Sequence, residues 1–162
     1  MATSANSRFL LDTTVLVHYT RGKELAAWIE NRYQLQKLSA STPPLICEVT
    51  VGELYSLALQ NKWNEKQWKE LKRLIGMCVV VPVSLNGVHQ AYAEIDCFSQ
   101  KSAPIFTPRN MGKNDVWIAA TAHVTKATLL TCDHDFDHLN PQWLRVEYID
   151  PQSAKKQKDS QK

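Results

Sequence analysis

The nine residues Asn114-Asp115-Val116-Trp117-Ile118-Ala119-Ala120-Thr121-Ala122 constrain the fold more than any other stretch of the chain. After Asp115 the run is apolar almost all round. A helix of that kind is a buried, central one and needs layers of structure on several sides. Asp115 stands at its mouth, so a rigid core element holds a carboxylate in place, as catalytic and ligand-binding groups are usually held. A short apolar run, Thr128-Leu129-Leu130-Thr131, comes next, and then Cys132-Asp133-His134-Asp135-Phe136-Asp137. Open α/β folds place their chemistry where strand ends deliver such groups to one edge of a sheet.

The rest of the chain supplies the layers. Arg8–Leu11, Leu45–Cys47, Cys78–Val81, Thr128–Thr131 and Val146–Ile149 are short apolar runs and read as strands. Helical patterns lie between them. Thr13–Val17 starts a short helix ending near Arg21-Gly22, and Leu25, Trp28 and Ile29 place a second that runs to about Leu38. Thr50 caps a third, whose inward stripe is Val51, Leu54, Tyr55, Ala58 and Leu59. Asn64-Glu65-Lys66-Gln67 has the spacing of a capping box. Trp68, Leu71 and Ile75 face inward after it, and Gly76 suits a C-terminal cap. Val88, Ala91, Tyr92 and Ile95 mark one more amphipathic helix, with Asp96 opposite its apolar stripe, before a long loop from Lys101 to Gly112. Strands alternating with helices imply an α/β fold. Its central parallel sheet has about five strands and is covered on both faces in three layers, α/β/α, with right-handed crossovers.

Length and composition set limits on this picture. A chain of 162 residues is expected to form one domain, residues 1–150. The net charge of +3 comes from residues 151–162, where Lys155, Lys156, Lys158 and Lys162 face only Asp159; the remaining 15 basic and 15 acidic side chains cancel. That segment reads as a disordered basic tail. No apolar run is long enough to span a membrane, and the N-terminus lacks the pattern of a secretory signal. The four cysteines show no C-x-x-C spacing and read as reduced, which points to the cytoplasm. Phosphate-cradling glycine loops and a G-x-S-x-G elbow are missing, which argues against nucleotide hydrolysis and serine-hydrolase chemistry.

Four carboxylates fall at positions that can converge. Asp12 follows the first strand, Glu53 lies on the first turns of a helix, Asp115 opens the central helix, and Asp133 follows the fourth strand. In a parallel sheet these positions share one edge. Clustered carboxylates raise one another's pKa unless a cation joins them. Mg²⁺ or Mn²⁺ suits a site of carboxylates and water, where it can activate water and orient a phosphodiester. Glu48 is a competitor for Glu53, since it comes directly after the second strand.

The motifs Leu10-Leu11-Asp12-Thr13, Val49-Thr50-Val51-Gly52-Glu53-Leu54, Asn114–Ala122 and Leu130-Thr131-Cys132-Asp133-His134-Asp135-Phe136 make the chain resemble the PIN-domain ribonucleases, particularly the VapC-type toxins of toxin–antitoxin pairs. The resemblance covers residues 8 to 150 and implies a PIN-like fold and a Mg²⁺- or Mn²⁺-dependent endoribonuclease. By motif, Asp12, Glu53, Asp115 and Asp133 would be the catalytic acids and metal ligands, with Asp135 behind them or as an alternative ligand. Thr14 stands where the family often has Asn or Ser. Thr14, Thr131, Arg109 and Lys113 are the candidates for contacting substrate, the last two through phosphate. The resemblance also implies RNA as substrate, a small antitoxin that covers the acidic cleft, and a homodimer. The alternative is a non-catalytic RNA- or protein-binding module on the same fold.

Other readings are weaker. Asp133–Asp137 opens like a calcium loop, but His138 and Leu144 stand where Gly and Glu are needed. His134 and His138 have a zinc-like spacing on a stretch too short for a helical site. His123 fits a hydrogen-bonded core residue. Lys66, Lys69, Lys72 and Arg73 read as the solvated face of their helix.

Overall fold

The computed structural model describes residues 8–21, 23–38, 40–101 and 110–155. In chain order the strands are β1 (Phe9–Leu11), β2 (Leu45–Cys47), β3 (Val79–Val81), β4 (Thr128–Thr131) and β5 (Val146–Tyr148). The helices are α1 (Thr13–Arg21), α2 (Lys23–Tyr33), α3 (Leu35–Leu38), α4 (Glu48–Gln60), α5 (Glu65–Gly76), α6 (Val88–Gln100) and α7 (Lys113–Thr125), with a 3₁₀ turn at His134–Leu139. The sheet order is β3-β2-β1-β4-β5 and every pairing is parallel.

That order locates the site. From β1 the chain builds outward through β2 to β3, then returns to add β4 on the other side of β1. The crevice beyond the C-terminal ends of β1 and β4 is therefore the topological switch point, where open α/β sheets bind ligands. The backbone closes the two strand ends together: Asp12 N–H donates to the Leu130 carbonyl at 3.0 Å.

Successive strand residues point to opposite faces, and each face builds its own core. Leu10, Leu45 and Leu129 pack with α6 and α7. Phe9, Leu11, Ile46 and Leu130 pack with α1, α2 and α5 on the other face. This is the three-layer architecture the strand and helix pattern predicts. On α7, Val116, Ile118, Ala119, Ala120, Thr121 and Ala122 are all buried, so the central helix is covered nearly all round. Asn64 and Gln67 form the expected reciprocal capping box at α5.

Several local expectations are corrected. The second helix does not run on to Leu38: Gln34 takes φ 52°, a left-handed kink that ends α2 and starts α3. Thr50 does not cap α4; Cys47 occupies that position without a side-chain bond, and Thr50 is buried inside the first turn. The stripe on α4 is rotated as well. Thr50, Leu54 and Ala58 face inward, whereas Tyr55 is 39% and Leu59 70% exposed. Gly76 ends α5 inside the helix, and the cap is Met77 in a right-handed conformation. β3 is an edge strand with Val79 and Val80 on the surface. Past β5, Ala154 packs onto the second core, so ordered structure continues beyond residue 150. All four cysteines are free thiols.

Candidate active site

Asp12 is the deepest of the acids, only 2% exposed at the end of β1. Its Oδ1 accepts from the Thr13 N–H at 2.7 Å, and its Oδ2 accepts from the hydroxyls of Thr14 at 2.6 Å and Thr131 at 2.8 Å. Burial raises its pKa, and these three donors pull it back in part. Both hydroxyls have a second function. Thr14 Oγ1 accepts from the Cys132 N–H at 3.0 Å, and Thr131 Oγ1 accepts from the Asp133 N–H at 3.0 Å. Each threonine thereby couples Asp12 to the turn that carries Asp133. That turn is stiffened by Asp133 itself, whose Oδ1 accepts from the Asp135 N–H at 2.9 Å and caps the 3₁₀ turn.

Glu53 reaches the crevice from α4. Its Oε2 accepts from the Thr13 hydroxyl and its Oε1 accepts from the Asn114 side-chain amide at 2.8 Å. The starts of α1 and α7 are thus both tied to α4 through one carboxylate. Neither Thr13 nor Asn114 stood out as a site residue from the sequence. The only signal was their place inside motifs already singled out, each next to an acid. Glu48, the rival to Glu53, accepts instead from the Val83 N–H at 3.1 Å and serves the end of β3.

Asp115 lies in the first turn of α7, half-buried. A Cβ on Gly112, the residue at the helix cap, would meet Asp115 Oδ2 at 2.8 Å, so glycine is what permits this close approach. Burial raises the Asp115 pKa first, and the charges of Asp12, Glu53, Asp133 and Asp135 add to it, pushing it up to about 7. Four of the predicted acids thus act on the fifth. Beside Glu53 and Asn114 opens a cavity of about 570 Å³ that Thr13, Gly52, Ser56 and Leu57 help to line.

The substrate candidates divide. Thr14 and Thr131 are inside the site as donors to Asp12. Lys113 is at its rim, with its Nζ donating to both Asp96 oxygens at 3.2 Å. Asp96, expected on the solvent side of its helix, keeps only 21% of its side-chain surface in solvent. Arg109 lies outside the described residues, as does most of the loop that carries it. Three histidines have partners of their own. His123 Nδ1 bonds the Trp143 carbonyl, His138 Nε2 bonds the Ser99 hydroxyl, and His134 Nδ1 bonds Asp137.

Four carboxylates at a switch point, Asp12 buried and Glu53, Asp115 and Asp133 half-buried, define the class as a fold with an acidic cleft, and comparison with known proteins supplies its family. The PIN domain family matches residues 9–140, and the chain belongs to it. Three solved structures have its fold. VapBC2 of Rickettsia felis, solved bound to a DNA fragment from their promoter, aligns with a TM-score of 0.68 at 20% identity, covering 86% of this chain and 97% of that one. VapBC-1 of nontypeable Haemophilus influenzae gives 0.62 at 20%, covering 86% and 96%. FitAcB of Neisseria gonorrhoeae gives 0.61 at 22%, covering 90% and 99%. No curated sequence matches the chain significantly.

The donor set suits a hard divalent cation: oxygens only, several of them carboxylate, in mutual repulsion that a cation would relieve. The side chains are not gathered in advance. Among the described residues, no three His, Cys, Asp or Glu side chains form a group that could hold a metal ion as they stand. The bonds that hold Glu53 to Thr13 and Asn114, and Asp133 to Asp135, keep those carboxylates turned to their own partners.

Proposed function

We propose that the chain is a Mg²⁺- or Mn²⁺-dependent endoribonuclease, the toxin component of a toxin–antitoxin pair acting in the cytoplasm. One observation carries this reading: at the switch point of the sheet, burial first and then the charges of four other carboxylates push Asp115 up to about 7. A fold does not concentrate like charge in a half-buried crevice without a compensating partner. Asp115, Asp133, Asp12 and Glu53 would hold the ion, with Asp135 behind Asp133. When bound, the ion would supply Lewis-acid activation of water and of the phosphodiester. The chain's own residues do the remainder. Thr14 and Thr131 fix Asp12, and Thr13 and Asn114 hold the Glu53 carboxylate at the starts of α1 and α7.

The decisive experiment is cleavage of a mixed RNA pool by the purified chain, refolded to strip any partner, with Mg²⁺, Mn²⁺ or EDTA. Cutting that needs the ion and falls at least about a hundredfold in Asp115→Asn supports the reading. Full activity in that variant refutes the site. The dispersed side chains favour a second reading, a non-catalytic RNA- or protein-binding module. Calorimetry separates the two: an ion bound by the parent and lost in Asp115→Asn supports the nuclease, and no binding supports the module.

An antitoxin partner is proposed from the family resemblance and from the VapBC complexes among the similar structures. A groove of about 970 Å³ between α1, α2 and α5 suits an amphipathic helix of such a partner. Tyr19, Ala26 and Ala27 form part of its floor, and Arg21, Glu30 and Arg73 its charged rim. Copurification from the native host with a small protein bearing a basic arm is the expected result. A homodimer is proposed as well. The exposed Tyr55 and Leu59 on α4 are apolar surface a second copy could cover, and sedimentation of Leu59→Glu beside the parent tests it. Among the described residues no helix is long and apolar enough to cross a membrane.

A further inference from the structure

We infer that the stacked side chains of His134 and Tyr148 form a base-stacking subsite that receives a nucleobase of single-stranded RNA beside the bond to be cut. The inference rests on the nuclease reading and adds to it a contact that the acids do not provide. The two rings lie 3.8 Å apart between centroids and 21° from parallel. Both are open to solvent: Tyr148 is 38% exposed and the His134 side chain 61%. The pair is at the rim of the acidic crevice. Tyr148 is the register partner of Thr131, which donates to Asp12, and His134 directly follows Asp133. The bond from His134 Nδ1 to Asp137 Oδ2, at 2.8 Å, sets the orientation of the imidazole.

Two physical points favour a base over a phosphate here. Asp133, Asp135 and Asp137 flank the pair along the 3₁₀ turn and Asp150 follows Tyr148 by two residues, so a backbone phosphate is repelled at this rim. Stacking on an aromatic plane needs no net charge and tolerates any base. Phe136 anchors the same turn from a fully buried position. An exposed aromatic stack that the core does not use, one residue from a proposed ligand, is surface kept for another planar group.

Two readouts test it. Uncharged nucleosides titrated into the protein should shift the ring-proton resonances of Tyr148 and His134. Steady-state cleavage of a single-stranded RNA oligonucleotide should show KM rising about tenfold in Tyr148→Ala with kcat little changed, in line with base–aromatic stacking. Tyr148→Phe should stay within about twofold of the parent, because the ring remains. The loss in Tyr148→Ala should be the same at low and high salt, unlike the loss of a phosphate contact. If the parent cleaves RNA but Tyr148→Ala keeps its KM and no ring shifts appear, the subsite is overturned and the nuclease stands. If nucleosides shift the rings but no RNA is cut under any metal, the nuclease reading falls and the subsite stands as part of a binding module. A Tyr148→Ala protein that loses thermal stability while keeping its KM marks the pair as structural and overturns the inference.

Discussion

Asp12 and Asp115 face the same crevice, and both have raised pKa values, but they are raised in different surroundings. Asp12 is almost fully buried and receives three hydrogen bonds, from a backbone N–H and two threonine hydroxyls. Its desolvation is offset in part by donors that belong to the fold. Asp115 is half-buried, and after burial its raised pKa comes from four neighbouring carboxylates. One acid is provided for by the protein itself; among the described residues no cation offsets the charge at the other. The difference teaches which part of the site is complete before a ligand arrives. The strand ends of β1 and β4 are preassembled, while the mouth of α7 gathers like charge that a bound cation would relieve.

The comparison can be broken in several ways. The largest expected effect on the fold is at Thr131, whose buried hydroxyl serves Asp12 and the Asp133 N–H together. Thr131→Val keeps the shape but strands both partners, and should cost about 1–3 kcal/mol by urea denaturation. A cost near zero would mean that Asp12 does not depend on these donors.

Asp115 should behave in the opposite sense. Its folded pKa of about 7 lies above its ordinary value of 3.8, so the native state holds the extra proton between the two. In metal-free buffer, stability should therefore fall as pH rises from about 4 to about 7 and level off above that. After allowance for solvent screening of a half-exposed group, the fall is on the order of 1–2 kcal/mol. Asp115→Asn should be the more stable protein at pH 8 and should have a shallower slope, the remainder coming from Asp12. Excess Mg²⁺ should remove most of the decline in the parent. A parent whose melting temperature is flat over this range, or rises, would remove the contrast the comparison rests on.

Two smaller effects sharpen it. Asn114→Ala frees Oε1 of Glu53 and should weaken ion binding about tenfold by calorimetry, the usual scale for a group that orients a ligand. Unchanged affinity would place Glu53 outside the ion's shell. Lys113→Ala should weaken RNA binding by about two- to fivefold at low salt and flatten its salt dependence, because it removes a single phosphate contact. Unchanged binding retires Lys113 from the site and leaves it as the partner of Asp96.

Much of this was legible in the chain. The acids could be placed because each sits at a strand end or near a helix start, and those boundaries follow from local periodicity. The α5 capping box was readable for the same reason: its donors and acceptors are three residues apart. The orientation of α4 was not. Tyr55 and Leu59 have the spacing of an inward stripe, yet the neighbours of α4 cover the line through Thr50, Leu54 and Ala58 instead. A helix pattern states that one side is apolar, and where two registers fit, packing chooses between them. The break at Gln34 escaped notice because a single left-handed residue leaves no periodic trace.

By itself, then, the sequence determined the kinds of element, their order, the acidic residues and the buried character of α7, all of which depend on interactions within a few residues. Only the tertiary structure decided which groups meet across long separations. Thr13 and Asn114 reach Glu53 over 40 and 61 residues, and Thr131 reaches Asp12 over 119. The Tyr148 ring lies on His134 because β5 pairs with β4 in one register. Strand order and register are set by how the apolar faces of all the elements are buried together. No local pattern carries that information, so the acids were readable one by one and their partners were not.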